Sequence, residues 1–185
     1  MKFFKIITII FISLTSSIKA DSQKKIINEL KEGGKIIFIR HAYAPGNGDP
    51  ENFDKKDCST QRNLNNEGIE QSKKIGQFFI KNQIIINEIF SSEWCRCKDT
   101  AKYAFDKFKT FDALNSFYQA KFFKNKDKQI KDLKKFIKNW DDDKNLILIT
   151  HYVVISEMLG VGVNSGEIIV SDKNFSIIDS IEIDY

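Results

Sequence analysis

Hydrophobic positions along this chain fall into short continuous runs and longer stretches of helical period, and the two kinds alternate. Gln23 to Lys31 places Ile26, Ile27 and Leu30 on one side of a helix, and Gly33-Gly34 stops it. Lys35 to Arg40 (KIIFIR) is a continuous apolar run that predicts a strand buried on both faces. Residues 41–60 are rich in Pro, Gly, Asn and Asp and read as a loop. Asn66 to Asn82 predicts a helix with Ile69, Ile75, Phe78 and Phe79 as its apolar side. A second strand starts near Ile84 or Glu88 and ends at Phe90, and a helix runs from about Trp94 to about Phe108. Asp127 to Trp140 is amphipathic, with Ile130, Leu133, Phe136 and Ile137 together. Asn145 to Thr150 (NLILIT) predicts a third buried strand, followed by a short helix from Tyr152 to Leu159. Glu167–Val170 and Ser176–Ile183 read as two late strands joined by a turn at Asp172-Lys173-Asn174.

Strands alternating with helices predict an α/β fold, a three-layer α/β/α sandwich around a mostly parallel sheet. In such sheets ligands bind beyond the carboxyl ends of the strands. Arg40 and His41 end the first strand, Arg96 follows the second, and His151 follows the third. Four polar residues from distant parts of the chain are therefore expected at one edge of the sheet.

The first twenty residues read differently. Lys2 and Lys5 precede an apolar stretch from Ile6 to Leu14, and small and polar residues lead to Ala20. This is the layout of a secretory signal peptide cleaved after Ala20, which leaves residues 21–185 as one domain in the periplasm or outside the cell. A membrane anchor is the alternative, but the apolar stretch is well short of the ~20 residues needed to span a bilayer. No stable membrane insertion is expected after cleavage. Removing the leader also changes the charge. The formal +4 includes Lys2, Lys5 and Lys19 and no leader acid, so the remainder carries 26 bases and 25 acids, a net +1. That balance does not point to nucleic acid. The Lys-rich stretch from Lys121 to Lys138 also holds Asp127 and Asp132 and reads as a solvated helix face.

The cysteines are Cys58, Cys95 and Cys97. In an exported protein a disulfide from Cys58 to Cys95 or Cys97 is expected, closing a loop of ~38 residues and contributing roughly 3–4 kcal/mol in the chain-entropy model. Zinc, the alternative, needs about four ligands, and Cys-x-Cys with one distant Cys and two distant histidines is poor spacing for it.

Basic residues are used unevenly. Beside 26 lysines stand only three arginines, Arg40, Arg62 and Arg96, and two histidines, His41 and His151. A guanidinium binds phosphate oxygens two at a time, whereas an ammonium is a point charge. Arginines kept for strand ends and a helix start, together with both histidines, point to a phosphate site. Positive neighbours also lower a histidine pKa, so the ring stays neutral near pH 7 and can act as a nucleophile.

Four segments resemble one family. FIRHAYAPGN is similar to the R-H-G-x-x-x-x-N opening of the histidine phosphatases and phosphoglycerate mutases, with Arg40, His41 and Asn47 matching and Ala42 in place of Gly. SSEWCRCKDTA resembles the S-x-x-x-R-x-x-x-T-A segment through Ser92, Arg96, Thr100 and Ala101. ITHYVVISEML resembles the segment with the second histidine, here His151. RNLNNEGIEQ is similar to the R-x-L-x-x-x-G turn of the small phosphohistidine phosphatases, through Arg62, Leu64 and Gly68. The segments occur in family order and cover about residues 35–170.

The resemblance implies a phosphatase in which His41 attacks phosphorus in line to give a phosphohistidine that water hydrolyses. Arg40, Arg62, Arg96 and His151 would hold the non-bridging oxygens, with Asn47 adding a hydrogen bond and no metal or cofactor required. The substrate is expected to be a small phosphorylated molecule, such as a sugar phosphate or an envelope component. Many relatives place an acid after the Arg96-type segment, to protonate the leaving group. In DALNSFYQAKFF, Asp112 falls too early, and the position holds Asn115 or Ser116. The small phosphohistidine phosphatases, which these segments resemble most, manage without an obvious acid because their leaving group is good; alternatively, Asp49, Glu51 or Asp57 could reach in from the loop after His41. The other reading is a phosphate-binding module that kept the pocket without catalysis.

Overall fold

The computed structural model describes residues 24–141 and 143–184, so the leader expected at residues 1–20 lies outside the described residues. Among the described residues six strands form one sheet: β1 (Ile36–Arg40), β2 (Ile86–Ser91), β3 (Lys109–Thr110), β4 (Asn145–Thr150), β5 (Ile168–Ser171) and β6 (Ile177–Ile181). Their order is β3-β2-β4-β1-β5-β6. The β3–β2, β2–β4 and β4–β1 pairs are parallel, and β5 runs antiparallel to both β1 and β6. The helices are α1 (24–32), α2 (Asn66–Lys81), α3 (Cys95–Phe105), α4 (Ala120–Phe123), α5 (Lys126–Lys138) and α6 (Tyr152–Leu159). Among the described residues no helix is long and apolar enough to cross a membrane.

The continuous runs in β1 and β4 are explained by the two faces they serve. Side chains alternate along a strand. Ile36, Phe38, Leu146 and Leu148 pack on one face with Leu133 and Ile137 of α5 and Val154 and Ile155 of α6. Ile37, Ile39, Ile147 and Ile149 pack on the other with Ile26 and Leu30 of α1, Ile75 and Phe79 of α2, and Cys97 and Ala101 of α3. Helices thus cover both faces of the sheet, as the alternation predicts. Shortening a central side chain such as Leu148→Ala would cost about 2–5 kcal/mol.

Two local features depart from the sequence reading. The helix that begins at Cys95 stops at Phe105, because Asp106 turns the chain with φ 67°. The residues beyond it form the edge strand β3 and a 3-10 turn at Asp112–Leu114. The helix expected to start at Asp127 is preceded by the single turn α4.

The connections leaving β1 and β4 go to opposite faces: α2 follows β1, and α6 follows β4 onto the other side. A crevice opens at the carboxyl ends of adjacent strands whose connections part in this way. Arg40 and His41 leave β1 there, and His151 leaves β4 beside them, the His41 N–H donating to the Thr150 carbonyl at 2.9 Å.

Candidate active site

The crevice leads into a cavity of about 140 Å³ lined by Arg40, His41, Asn47, Asp49, Arg62, Arg96 and His151, with Tyr118 and Tyr152 among its further walls. All six residues singled out in the sequence therefore meet in one place. A larger and more open depression of about 710 Å³ adjoins it, lined by Phe53, Lys55, Lys121 and Lys128 and sharing Trp94, Ser116 and Phe122 with it. Among the described residues lining that depression there is neither histidine nor arginine, so both histidines and all three arginines gather at the smaller cavity.

His41 is 2% exposed. Its Nδ1 lies 2.8 Å from the Ala42 carbonyl oxygen, which can only accept, so Nδ1 carries the proton and Nε2 keeps its lone pair. The carbonyl is itself fixed through its own residue. The Ala42 N–H donates to Thr100 Oγ1 at 3.0 Å, and the Thr100 hydroxyl donates to the Arg96 carbonyl at 2.7 Å. Thr100, quoted above only as a motif residue, ties α3 to the segment that orients His41. Burial lowers the His41 pKa well below its ordinary value, and Arg96, Arg40 and Arg62 push it the same way.

His151 is equally buried, and its ring centroid lies 5.5 Å from that of His41. Its Nε2 is 2.9 Å from Ser92 Oγ. The Asn115 Oδ1 atom accepts from the Glu93 N–H at 2.8 Å and from the Ser92 hydroxyl at 3.0 Å. With the Ser92 proton so directed, His151 Nε2–H donates to Ser92 Oγ. The Nδ1 atom then faces the cavity as an acceptor, 3.5 Å from Arg96 Nη2. Burial, followed by Arg96, also depresses this histidine well below its ordinary value.

The arginines differ in how they are held. Arg40 donates from Nη1 to the Val163 carbonyl at 2.8 Å, and its guanidinium carbon sits 5.7 Å over the Tyr152 ring. Arg62 donates from Nε to the Gly48 carbonyl at 3.0 Å and from Nη1 to the Ala44 carbonyl, which anchors the 41–60 loop. Burial and the charge of Arg96 push its pKa down to about 10. Arg96 makes a two-pronged ion pair with Asp49, Nη1 to Oδ1 at 2.7 Å and Nη2 to Oδ2 at 3.2 Å. Among the described residues, the Nε–H groups of Arg40 and Arg96 are buried without a hydrogen-bond partner. Donors of this kind suit an anion.

Asn47 lies at the exposed mouth, its amide 3.4 Å from the Tyr118 hydroxyl. Of the candidate acids from the loop, Asp49 reaches in. Glu51 is exposed, and Asp57 is exposed and caps the short 3-10 turn at Cys58–Thr60 by accepting from the Ser59 N–H at 2.9 Å. Asp112 lines the neighbouring depression, and Asn115 is directed at Ser92 and Glu93. The turn through Arg62 needs Gly68, because a Cβ there would lie 2.0 Å from the Tyr43 carbonyl oxygen.

The disulfide joins Cys58 to Cys95, with Cα atoms 5.7 Å apart. Beside it, Gln61 Oε1 accepts from the Cys95 N–H at 2.9 Å. Cys97 is free and buried on the sheet side of α3.

Comparison of the sequence with family models and with curated proteins finds no match. Solved structures do match. The protein histidine phosphatase SixA complexed with tungstate superposes with a TM-score of 0.59 at 12% identity, over 80% of this chain and 96% of that one. Phosphoglycerate mutase from Thermus thermophilus gives 0.58 at 15% identity, over 81% and 99%. A phosphoserine phosphatase variant from Entamoeba histolytica, in complex with phosphoserine, gives 0.53 at 16% identity, over 74% and 89%. This chain therefore shares the fold of these solved phosphatases and of phosphoglycerate mutase. Nearly the whole length of the first two neighbours is matched.

Proposed function

We propose that this protein is an exported phosphatase that hydrolyses a small phosphomonoester through a phosphohistidine on His41. The observation that carries the reading is the His41 ring itself. It is neutral, its proton is held on Nδ1 by the Ala42 carbonyl, and Nε2 is left as the nucleophile in a cavity rich in guanidinium groups. Three guanidinium groups face one carboxylate there, an excess of two positive charges that complements a phosphate dianion.

In the first step His41 Nε2 attacks phosphorus while the bond to the leaving oxygen breaks. Arg40, Arg62 and Arg96 take up charge on the non-bridging oxygens, and Asn47 can reach them from the mouth. His151, expected from sequence to help hold those oxygens, spends its N–H on Ser92 and offers them no donor, so it serves as a neutral ring beside Arg96. In the second step water attacks phosphorus, the P–N bond returns its electron pair to His41, and phosphate leaves. The Cys58–Cys95 bond supports work in an oxidising compartment. The adjoining depression, with its aromatic and lysine walls, has room for the organic part of a phosphorylated sugar or envelope component.

The test is a rapid quench of the exported protein with radiolabelled phosphomonoester. Acid-labile label on His41, absent from His41→Ala, is the expected result. Phosphate binding without turnover across a panel of phosphorylated metabolites would instead favour a non-catalytic module.

A further inference from the structure

A phosphomonoester with an ordinary alcohol as leaving group needs a proton at the departing oxygen. After α3, where a carboxyl could have stood, Asn115 and Ser116 are buried and engaged with other groups: Asn115 Oδ1 with Ser92 and Glu93, its amide with Glu93, and Ser116 Oγ with the Tyr118 N–H. Among the described residues lining the cavity, the one carboxyl is Asp49. Resting on the phosphatase reading above, we propose that Asp49 is the proton donor to the leaving oxygen, freed for that role when the phosphoryl group takes over the guanidinium fork of Arg96.

The geometry supplies both halves of this exchange. In the free protein the side chains of Asp49 and Arg96 are each 4% exposed and share two hydrogen bonds. Asp49 Oδ1 also accepts from the Arg62 N–H at 3.1 Å, and Oδ2 from Trp94 Nε1–H at 3.0 Å. Its own carbonyl accepts from Gln119 at 2.8 Å, so the backbone is held while the carboxyl rests on Arg96. The carboxylate thus sits where an anion belongs. A phosphoryl dianion carries more charge and also meets the unpartnered Nε–H groups of Arg40 and Arg96, so it competes for the same donors.

The exchange changes what Asp49 can do. In the free protein burial pushes the carboxyl up, but Arg96, the Arg62 N–H and Trp94 outweigh it and hold the group below its ordinary value. With the dianion on Arg96, Asp49 loses its closest cation and gains a negative neighbour, and both effects favour the protonated acid. Arg40, Arg62, His41, His151, Tyr118 and Tyr152 are the other charged or titratable groups lining the cavity. Asp49 takes its proton from water or from the substrate monoanion. As His41 Nε2 bonds to phosphorus, the electron pair of the breaking P–O bond goes to the leaving oxygen, which takes that proton. Asp49 then accepts a proton from the attacking water in the second step.

The experiment compares p-nitrophenyl phosphate, whose leaving group needs no proton, with glycerol phosphate, whose leaving group does. It uses wild type, Asp49→Asn and Asp49→Glu with the disulfide intact. Asp49→Asn is expected to lower kcat/KM on glycerol phosphate at least about a hundredfold more than on p-nitrophenyl phosphate. It should also erase the alkaline fall of kcat, and Asp49→Glu should restore part of the glycerol phosphate activity. An equal loss on both substrates, with the alkaline limb kept, would show Asp49 to be structural and overturn the proposal. Should Asp49→Asn fail to fold, Asp49→Glu decides: a displaced alkaline limb supports the proposal and an unmoved one overturns it. A wild type that hydrolyses neither ester rejects the phosphatase reading itself, and this inference with it.

Discussion

Arg96 Nη2 and His151 Nδ1 lie 3.5 Å apart inside the cavity, a cation facing the acceptor side of a neutral ring. The contact requires the His151 proton to be on Nε2, and Ser92 is the group that keeps it there. A protonated His151 would set two cations against each other at that distance in a buried place.

Ser92→Ala should therefore lower kcat about tenfold. It would leave His151 Nε2–H without its acceptor and cost about 1–3 kcal/mol of stability. Thermal melting and steady-state kinetics on the same preparation check both. A wild-type kcat would mean that Ser92 does not set the ring's proton.

Stability should fall as pH drops below neutral. Both histidines are depressed well below their ordinary value of 6.5 in the folded chain, burial being the first cause in each. Below about pH 6.5 the unfolded chain therefore binds protons that the folded chain refuses. The stabilisation from neutral burial is complete above the unfolded value and is lost as pH falls toward the folded one. The limiting slope is roughly 1.4 kcal/mol per pH unit for each ring. Denaturant titrations at pH 7, 6 and 5 measure it, and His41→Asn combined with His151→Asn should flatten the curve in that window. A slope unchanged by the double variant would contradict the assignment.

Hydrolysis should persist in excess EDTA. The cavity wall offers guanidinium groups, two imidazoles and one carboxylate already paired with Arg96, a donor set for an anion. Positive charge that metal-dependent phosphatases draw from ions is here covalently attached. Activity lost in EDTA and restored by zinc or magnesium would reject the arrangement.

The parts of this structure readable from sequence are those where one residue pattern answers one physical demand. β1 and β4 are central strands buried on both faces, so their runs are continuous and their ends locate Arg40, His41 and His151. The arginines stand out because the rest of the chain uses lysine. β3 was not readable: it is two exposed residues, Lys109 and Thr110, at the sheet edge, with no apolar period to mark them. Phe105 and Phe108 keep a helical spacing past the point where Asp106 turns the chain, which explains the helix expected to run too far. The Asp49–Arg96 pair joins residues 47 apart through an irregular loop. Sequence could name Asp49 among three loop acids, but the path of the loop selects it. At the cavity wall Tyr118 lies outside the motif segments, and Tyr152, though it follows His151 within one, is not a position that segment marks, so neither carried a signal.

Reduction should loosen the site as well as the fold. Cys58 lies four residues before Arg62, and Cys95 directly precedes Arg96, so their bond joins the two segments that deliver these arginines. Gln61 reinforces the tie by accepting from the Cys95 N–H. The loop enclosed spans 37 positions, for which chain entropy alone gives about 4 kcal/mol. Cys58→Ser combined with Cys95→Ser should lower the melting temperature markedly. It should also weaken phosphate or tungstate binding, because a guanidinium fork that is free to move binds an anion less well than a fixed one. Cys97 should stay unmodified by iodoacetamide in the folded protein, since burial pushes its thiol up to about 12 and it lies against the sheet. Peptide mapping of non-reduced protein from the periplasm checks the pairing, and calorimetry with phosphate checks the site. Three alkylated cysteines in that sample would remove the disulfide and the argument for export that rests on it. A double variant that melts early yet binds phosphate as the wild type does would confine the bond to a stabilising role.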